Sequence, residues 1–200
     1  LAELPRDGDP AGADPAPKPE AIRVPAHEVS RPATVEDAPS ARVPDARWVF
    51  SSPAAFIAFG AGSGLAPRGP GTAGTLAAFP LHLLLAWALP AQAHLGAIVL
   101  LFLLGTWACG AAGRALGSED HGGIVIDEVV AFALVLWWVP ATLVAWIAAF
   151  ALFRLFDIWK PQPIRWFDRN LKGGFGVMFD DLLAAAATLI VFAIPAIVGS

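Results

Sequence analysis

The 200-residue sequence predicts an all-α, polytopic integral membrane protein, a helical bundle with a re-entrant or kinked hairpin, preceded by a disordered N-terminal tail. Three observations predict it. The chain is 56% hydrophobic and only 15% charged, where a soluble domain carries roughly 25% charged residues, and its mean hydropathy is +0.62. Residues 69–113, 129–153 and 182–200 contain no Asp, Glu, Lys or Arg, and about 20 apolar residues suffice to cross a bilayer. Residues 1–47, by contrast, hold nine of the 18 prolines, nine of the 17 acidic residues and no aromatic residue. Such a stretch buries too little apolar surface to offset its conformational entropy.

The expected organisation is a proline-rich extension over 1–47 and a membrane-embedded domain over 48–200. The extension has no apolar core near its start, so it does not read as a secretory signal. Leu1 in place of methionine fits an alternative start or a truncated chain. The first apolar run is long enough to go in and out. Pro90 marks the turn and leaves helices over 75–89 and 95–113, the first only ~22 Å long at about 1.5 Å per residue. Arg68 precedes this hairpin, Arg114 follows it, and the turn has neither Lys nor Arg. The positive-inside rule therefore assigns both arginines and the tail to the cytoplasm. Residues 129–153 either span once with a kink at Pro140 or bend there and return. The return is preferred, because a single span would send Arg154, Lys160, Arg165, Arg169 and Lys172 outside. Residues 182–198 close the bundle, and Trp48, Trp137, Trp138, Trp159 and Trp166 near segment ends read as interface anchors.

The single cysteine, Cys109, excludes an internal disulfide framework and a cysteine-rich zinc site, and a net charge of −4 excludes a broad cationic surface for nucleic acid. The eight acidic residues of the body (Glu119, Asp120, Asp127, Glu128, Asp157, Asp168, Asp180, Asp181) all fall at the mouths of the apolar runs, where ionisable groups are costly. Asp127–Glu128 and Asp180–Asp181 each read as the start of an apolar helix. One carboxylate would serve as a cap; two in succession also allow one member to face a ligand. Brought together, the pairs supply four hard oxygen donors suited to Mg²⁺. Capping and interface charge remain the competing reading. The glycine-rich stretch 60–75, with Ser63, Thr72 and Thr75, is either a phosphate-wrapping loop or a flexible membrane-entry loop. The segment 153–174 holds five of the body's seven cations. Surface ion pairing explains its spacing, and so does attraction of a phosphate or an anionic head group.

Covalent phosphate chemistry finds no motif. Cys109 and Arg114 are spaced C-x4-R, and no aspartyl-phosphate motif or histidine pair is evident; His121 stands alone. Metal-activated water attacking phosphorus is the simplest remaining chemistry. The segments GSGLAPRGPGTAGTLAAFP (62–80), DHGGIVIDEVV (120–130) and FRLFDIWKPQPIRWFDRNLKGGFGVMFDDLLA (153–184) resemble the phosphatidylglycerophosphatase A family over nearly all of 56–190. The resemblance implies a Mg²⁺-dependent phosphatase of the bacterial inner membrane that converts phosphatidylglycerophosphate to phosphatidylglycerol and phosphate. It would place glycine where this chain has Ala131 and Ala185, one added methyl at each of two helix contacts.

The expected site faces the cytoplasm. Asp127, Glu128, Asp180 and Asp181 are the expected metal ligands, with Asp157 and Asp181 catalytic. Lys160, Arg165 and Arg154 would hold the phosphate, with Ser63, Arg68, Thr72 and Thr75 completing the cradle. Phosphatidylglycerophosphate and membrane lipids are the expected partners, with no nucleic acid. A transporter for an anionic solute and a non-catalytic lipid-binding scaffold are the alternatives.

Overall fold

Helix signals follow one another along the chain. In the computed structural model, which describes residues 43–118 and 121–198 (side chains of 195–198 excepted), every regular element is helical. The tail expected over 1–47 lies mostly outside the described residues. Ala46 and Arg47 already stand in α1 (Ala46–Ser51), where the Asp45 carboxylate caps the Trp48 amide at 2.8 Å. Ser52 caps α2 (Pro53–Ala58), which has proline at its first position. A tight turn over Gly60–Leu65 leads on to α3 (Pro70–Ala88) and α4 (Ala91–Leu116). Then come α5 (Ile126–Trp138), α6 (Leu143–Trp159), α7 (Ile164–Asn170) and α8 (Gly173–Val198). All of them belong to one compact unit, Pro39–Ser200.

The first apolar hairpin is longer than its sequence pattern suggested. Gly69 takes a left-handed backbone (φ 60) and Pro70 occupies the first helical position, so α3 starts at Pro70 and not at residue 75. It then reaches about 28 Å. Among the described residues, α3, α4 and the 173–194 stretch of α8 are the three helices long and apolar enough to cross a membrane. Large apolar side chains face outward on them, among them Leu83, Leu84 and Trp87 on α3, Leu100, Leu103 and Trp107 on α4, and Ile190 on α8.

The Pro140 region folds as a hairpin whose two ends meet. As one straight helix, Glu128 and Arg154 would lie about 39 Å apart; instead their charged groups meet at 3.5 Å. Neither α5, at about 20 Å, nor α6, at about 25 Å, is long enough to cross the roughly 30 Å hydrocarbon core. Neighbouring helices cover α5, whereas the bend itself, residues 140–144, is exposed. α5 packs against α3, α4, α6 and α8. Its Phe132 is fully buried and meets Phe79 of α3 at 5.4 Å and Phe153 of α6 at 5.3 Å.

Glycines let the helix ends close on one another. A Cβ on Gly74 would stand 2.7 Å from Val125, and one on Gly174 would stand 2.0 Å from the Thr106 carbonyl oxygen of α4. Close approach through small residues is the usual basis of helix association in lipid. Ala131 and Ala185 are 3% and 0% exposed, so the core closes around both methyl groups.

Gly174→Ala is expected to cost about 1–3 kcal/mol through overpacking of α4 against α8, read as a lower melting temperature in detergent. Gly96→Ala, where a Cβ meets nothing within 4 Å, should leave the melting temperature unchanged.

Candidate active site

The site is built where α3, α5 and α8 start and α6 ends. Asp127 and Glu128 lie in the first turn of α5. Against them sits the first turn of α3, so close that a Cβ on Gly71 would stand 2.1 Å from Glu128 Oε1. Two positive helix N-termini thus converge on one carboxylate pair. Asp180 and Asp181 do not open a helix, as their position before an apolar run suggested. The uncharged stretch before them is helical, and they stand within α8, two turns from its start at Gly173. Capping does not account for them there.

Adjacent helical residues point about 100° apart, and the two aspartates use that difference. Asp181, 3% exposed, faces α5: one oxygen each of Asp127, Glu128 and Asp181 lie within 4.8 Å of one another. Asp180 faces the other way and accepts a hydrogen bond at Oδ2 from Lys160 Nζ, which also donates to Asp168 Oδ1 at 2.6 Å. Lys160 reaches them because it ends α6 in a left-handed conformation (φ 44). Arg154 lies behind the cluster, 3.5 Å from Glu128 Oε1 and 2.5 Å from Asp157 Oδ2. Asp157 and Asp181 line one and the same cavity.

A cavity of about 410 Å³ opens over this cluster. Asp127, Glu128, Asp157, Asp168, Asp180 and Asp181 line it, with Lys160, Arg169 and Lys172 as its cations. Burial pushes the Asp127 and Glu128 carboxyls above the usual range. Glu128 and Asp180 push Asp127 further, as Asp181 and Asp157 do Glu128, while Arg154 pulls Glu128 back. Burial alone would lower Lys160 and raise Asp168. The hydrogen bonds between Lys160 and the Asp168 and Asp180 carboxylates outweigh it, so Lys160 is raised and Asp168 lowered.

The donor set fits a divalent cation. Asp127 Oδ1, Glu128 Oε2, Asp180 Oδ1 and Asp181 Oδ2 are buried and have no hydrogen-bond partner, a costly state unless a cation or a proton satisfies them. Ligands about 2.1 Å from one Mg²⁺ lie at most about 4.2 Å apart, so a spacing of 4.8 Å needs only a small adjustment.

The remaining expected phosphate contacts are not brought to the cavity. Ser63 donates to the Gly60 carbonyl, and Thr75 is fully buried and donates to the Gly71 carbonyl, both at 2.9 Å. Arg68 and Thr72 are exposed outside the lining, and Arg165 donates to the Trp159 carbonyl at 3.2 Å. The glycines of 60–65 serve backbone contact instead of anion wrapping, since a Cβ on Gly64 would stand 2.0 Å from the Gly123 carbonyl oxygen. His121 accepts from the Gly123 amide at 3.0 Å and shapes the turn before α5. Asp168, Arg169 and Lys172 are the charged lining residues to which the sequence pattern assigned no role; the density of charge over 153–174 was their only signal.

The segments 62–80, 120–130 and 153–184 therefore meet at one end of the bundle, with Glu119 and Asp120 outside the described residues. The model of the phosphatidylglycerophosphatase A family matches residues 56–196. The chain belongs to the phosphatidylglycerophosphatase A family. A phosphatidylglycerophosphatase A of Escherichia coli is 43% identical over 143 residues, 71% of this chain and 83% of its own length. One of Haemophilus influenzae is 48% identical over 145 residues, 72% of this chain and 89% of its own. A Bacteroides thetaiotaomicron protein named "Putative phosphatidylinositol-3-phosphatase" is 42% identical over 150 residues, 69% of this chain and 90% of its own. No solved structure matches the chain. In this member of the phosphatidylglycerophosphatase A family, the cavity is formed almost wholly by the second and third of those segments.

Lys160→Met leaves the Asp180 carboxylate buried without its cation and should lower the melting temperature in detergent. The double variant Lys160→Met/Asp180→Asn should recover part of that loss.

Proposed function

We propose that this chain hydrolyses the terminal phosphate monoester of phosphatidylglycerophosphate, giving phosphatidylglycerol and inorganic phosphate for glycerophospholipid synthesis. The observation that carries the reading is the convergence of Asp127, Glu128 and Asp181 beside Lys160 in a cavity at one end of a membrane bundle, in a member of this family. Asp127, Glu128 and Asp181 would hold Mg²⁺, with Asp180 Oδ1 as a further donor. When bound, the ion neutralises phosphate oxygens and lowers the pKa of the attacking water.

The protein's own residues do the rest. Six carboxylates against three cations would repel a phosphate without further positive charge. Lys160, Arg169 and Lys172 face the same space and bind the outer phosphate oxygens. Asp180 and Asp168 fix the Lys160 ammonium in position, and Arg154 fixes Glu128 and Asp157. Asp157 orients the water and accepts its proton, with Asp181 beside it. The water oxygen bonds to phosphorus, the ester P–O bond breaks, and the glycerol oxygen leaves with a proton. The lipid product stays in the bilayer.

The cavity faces the cytoplasm across the bacterial inner membrane in this reading. Its support is the gathering of Arg68, Arg114 and the cations of 154–172 at the cavity end. A transport path fits less well, because among the described residues the opposite end carries no Asp, Glu, Lys or Arg.

Phosphate release from phosphatidylglycerophosphate in mixed micelles, with and without EDTA, tests the proposal. Release lost to chelator and restored by Mg²⁺ is expected. Flux without release would indicate transport, binding indifferent to EDTA would indicate a scaffold, and preferential release from phosphatidylinositol 3-phosphate would reassign the substrate. Asp180→Asn and Asp181→Asn should each lower the rate about 100-fold or more with membrane insertion intact. Retained turnover would remove the residue from the mechanism.

A further inference from the structure

A second cavity, about 320 Å³, lies beside the first, where the end of α4 meets the start of α8. Gly173 lines both cavities. The walls are mostly glycine: Gly110, Gly117, Gly173 and Gly174 contribute, and at Gly117 and Gly173 a Cβ would meet nothing within 4 Å. Five of its eight lining residues are glycine, and Cys109, Arg114 and Ser118 are the others. Its single cation is Arg114, exposed in the last turn of α4 and without an ion pair among the described residues. A Cβ on Gly110 would stand 3.4 Å from the Arg114 guanidinium, so that guanidinium lies back along its own helix toward the groove.

The substrate proposed above carries two phosphates separated by one glycerol. The outer is the monoester, and the inner is a phosphodiester with a single negative charge, next to the diacylglycerol. The first cavity takes the monoester and cannot also neutralise a second anion, having six carboxylates against three cations. The diester needs a cation nearby, and among the described residues no carboxylate pairs with Arg114. It also needs a backbone-walled recess that admits a lipid from the apolar surface of the bundle.

We propose that Arg114 and the glycine groove around it bind the phosphodiester of the lipid whose monoester occupies the carboxylate cavity. The groove then selects a lipid with two phosphates over one with a monoester alone. This inference rests on the function proposed above, and the test separates the two. Phosphatidylglycerol carries only the diester, and competitive inhibition by inorganic phosphate reads the monoester cavity.

Binding of phosphatidylglycerol to the full chain in neutral detergent micelles is compared for the wild type, Arg114→Gln, Arg114→Lys and Arg47→Gln, alongside turnover kinetics. Arg114→Gln is expected to weaken phosphatidylglycerol binding and raise KM for phosphatidylglycerophosphate about tenfold, as loss of one charge-assisted contact does. It should leave kcat within about twofold, as expected when only ground-state binding is lost, and leave inhibition by inorganic phosphate unchanged. Arg114→Lys should restore most of the binding, and Arg47→Gln, with the same change in net charge, should alter nothing. Unchanged phosphatidylglycerol binding in Arg114→Gln overturns the proposal. So does an equal effect of Arg47→Gln, which would show bulk attraction of anionic lipid, or parallel loss of phosphate inhibition, which would show collapse of the first cavity. A wild type that binds phosphatidylglycerol through Arg114 but releases no phosphate would refute the hydrolytic reading and leave the groove standing.

Discussion

Negative charge held out of water is the constraint on which the molecule is organised. Asp127, Glu128 and Asp181 bring three carboxylates together in a buried place, and like charges so close cannot all ionise unless positive charge is brought to them. The protein supplies part of it. Arg154 touches Glu128 and Asp157, Lys160 touches Asp180 and Asp168, and the N-termini of α3 and α5 add their partial charges. Oxygens of four carboxylates are still buried and unpartnered. A divalent cation would complete such a set, and its affinity for the site would then add to the stability of the bundle.

Much of the packing can be understood as bringing helix ends close enough for that cluster to exist. Gly71 and Gly74 let α3 lie against the start of α5, and Gly174 lets α8 lie against α4. The α5–α6 hairpin folds back on itself, so Asp127 at its start and Asp157 at its end share one cavity. Phe132, fully buried among Phe79, Phe150 and Phe153, holds the hairpin to α3. Among the described residues the far half carries no Asp, Glu, Lys or Arg, so the charged side chains gather at one end of the bundle.

Features that depend on composition and charge placement were legible in the sequence. The helical class, the turn at Pro90, the return at Pro140 and the acidic doublets all follow from uncharged runs and the charges bounding them. The start of α3 was not, because glycines at 71 and 74 read as loop residues until a neighbouring helix is seen to need the space of their missing side chains. The seat of Asp180 and Asp181 within α8 was hidden for a related reason: GGFGVMF reads as neither helix nor loop without α4 beside it. Hydroxyls were the weakest guide. Thr75 satisfies its own helix backbone, and Ser63 its own turn, so a side chain able to cradle an anion had a nearer partner. Lys160, Asp168 and Asp180 meet only because the chain turns twice between α6 and α8, which spacing in the sequence does not reveal.

The most direct test of the account is a titration of the metal-free protein with Mn²⁺, followed by electron paramagnetic resonance, on the wild type and on Asp127→Asn and Asp181→Asn. The account predicts a saturable, Mg²⁺-competed site in the wild type that weakens at least about tenfold when either carboxylate is neutralised. Equal Mn²⁺ binding by all three proteins, or none by a folded wild type, would contradict it.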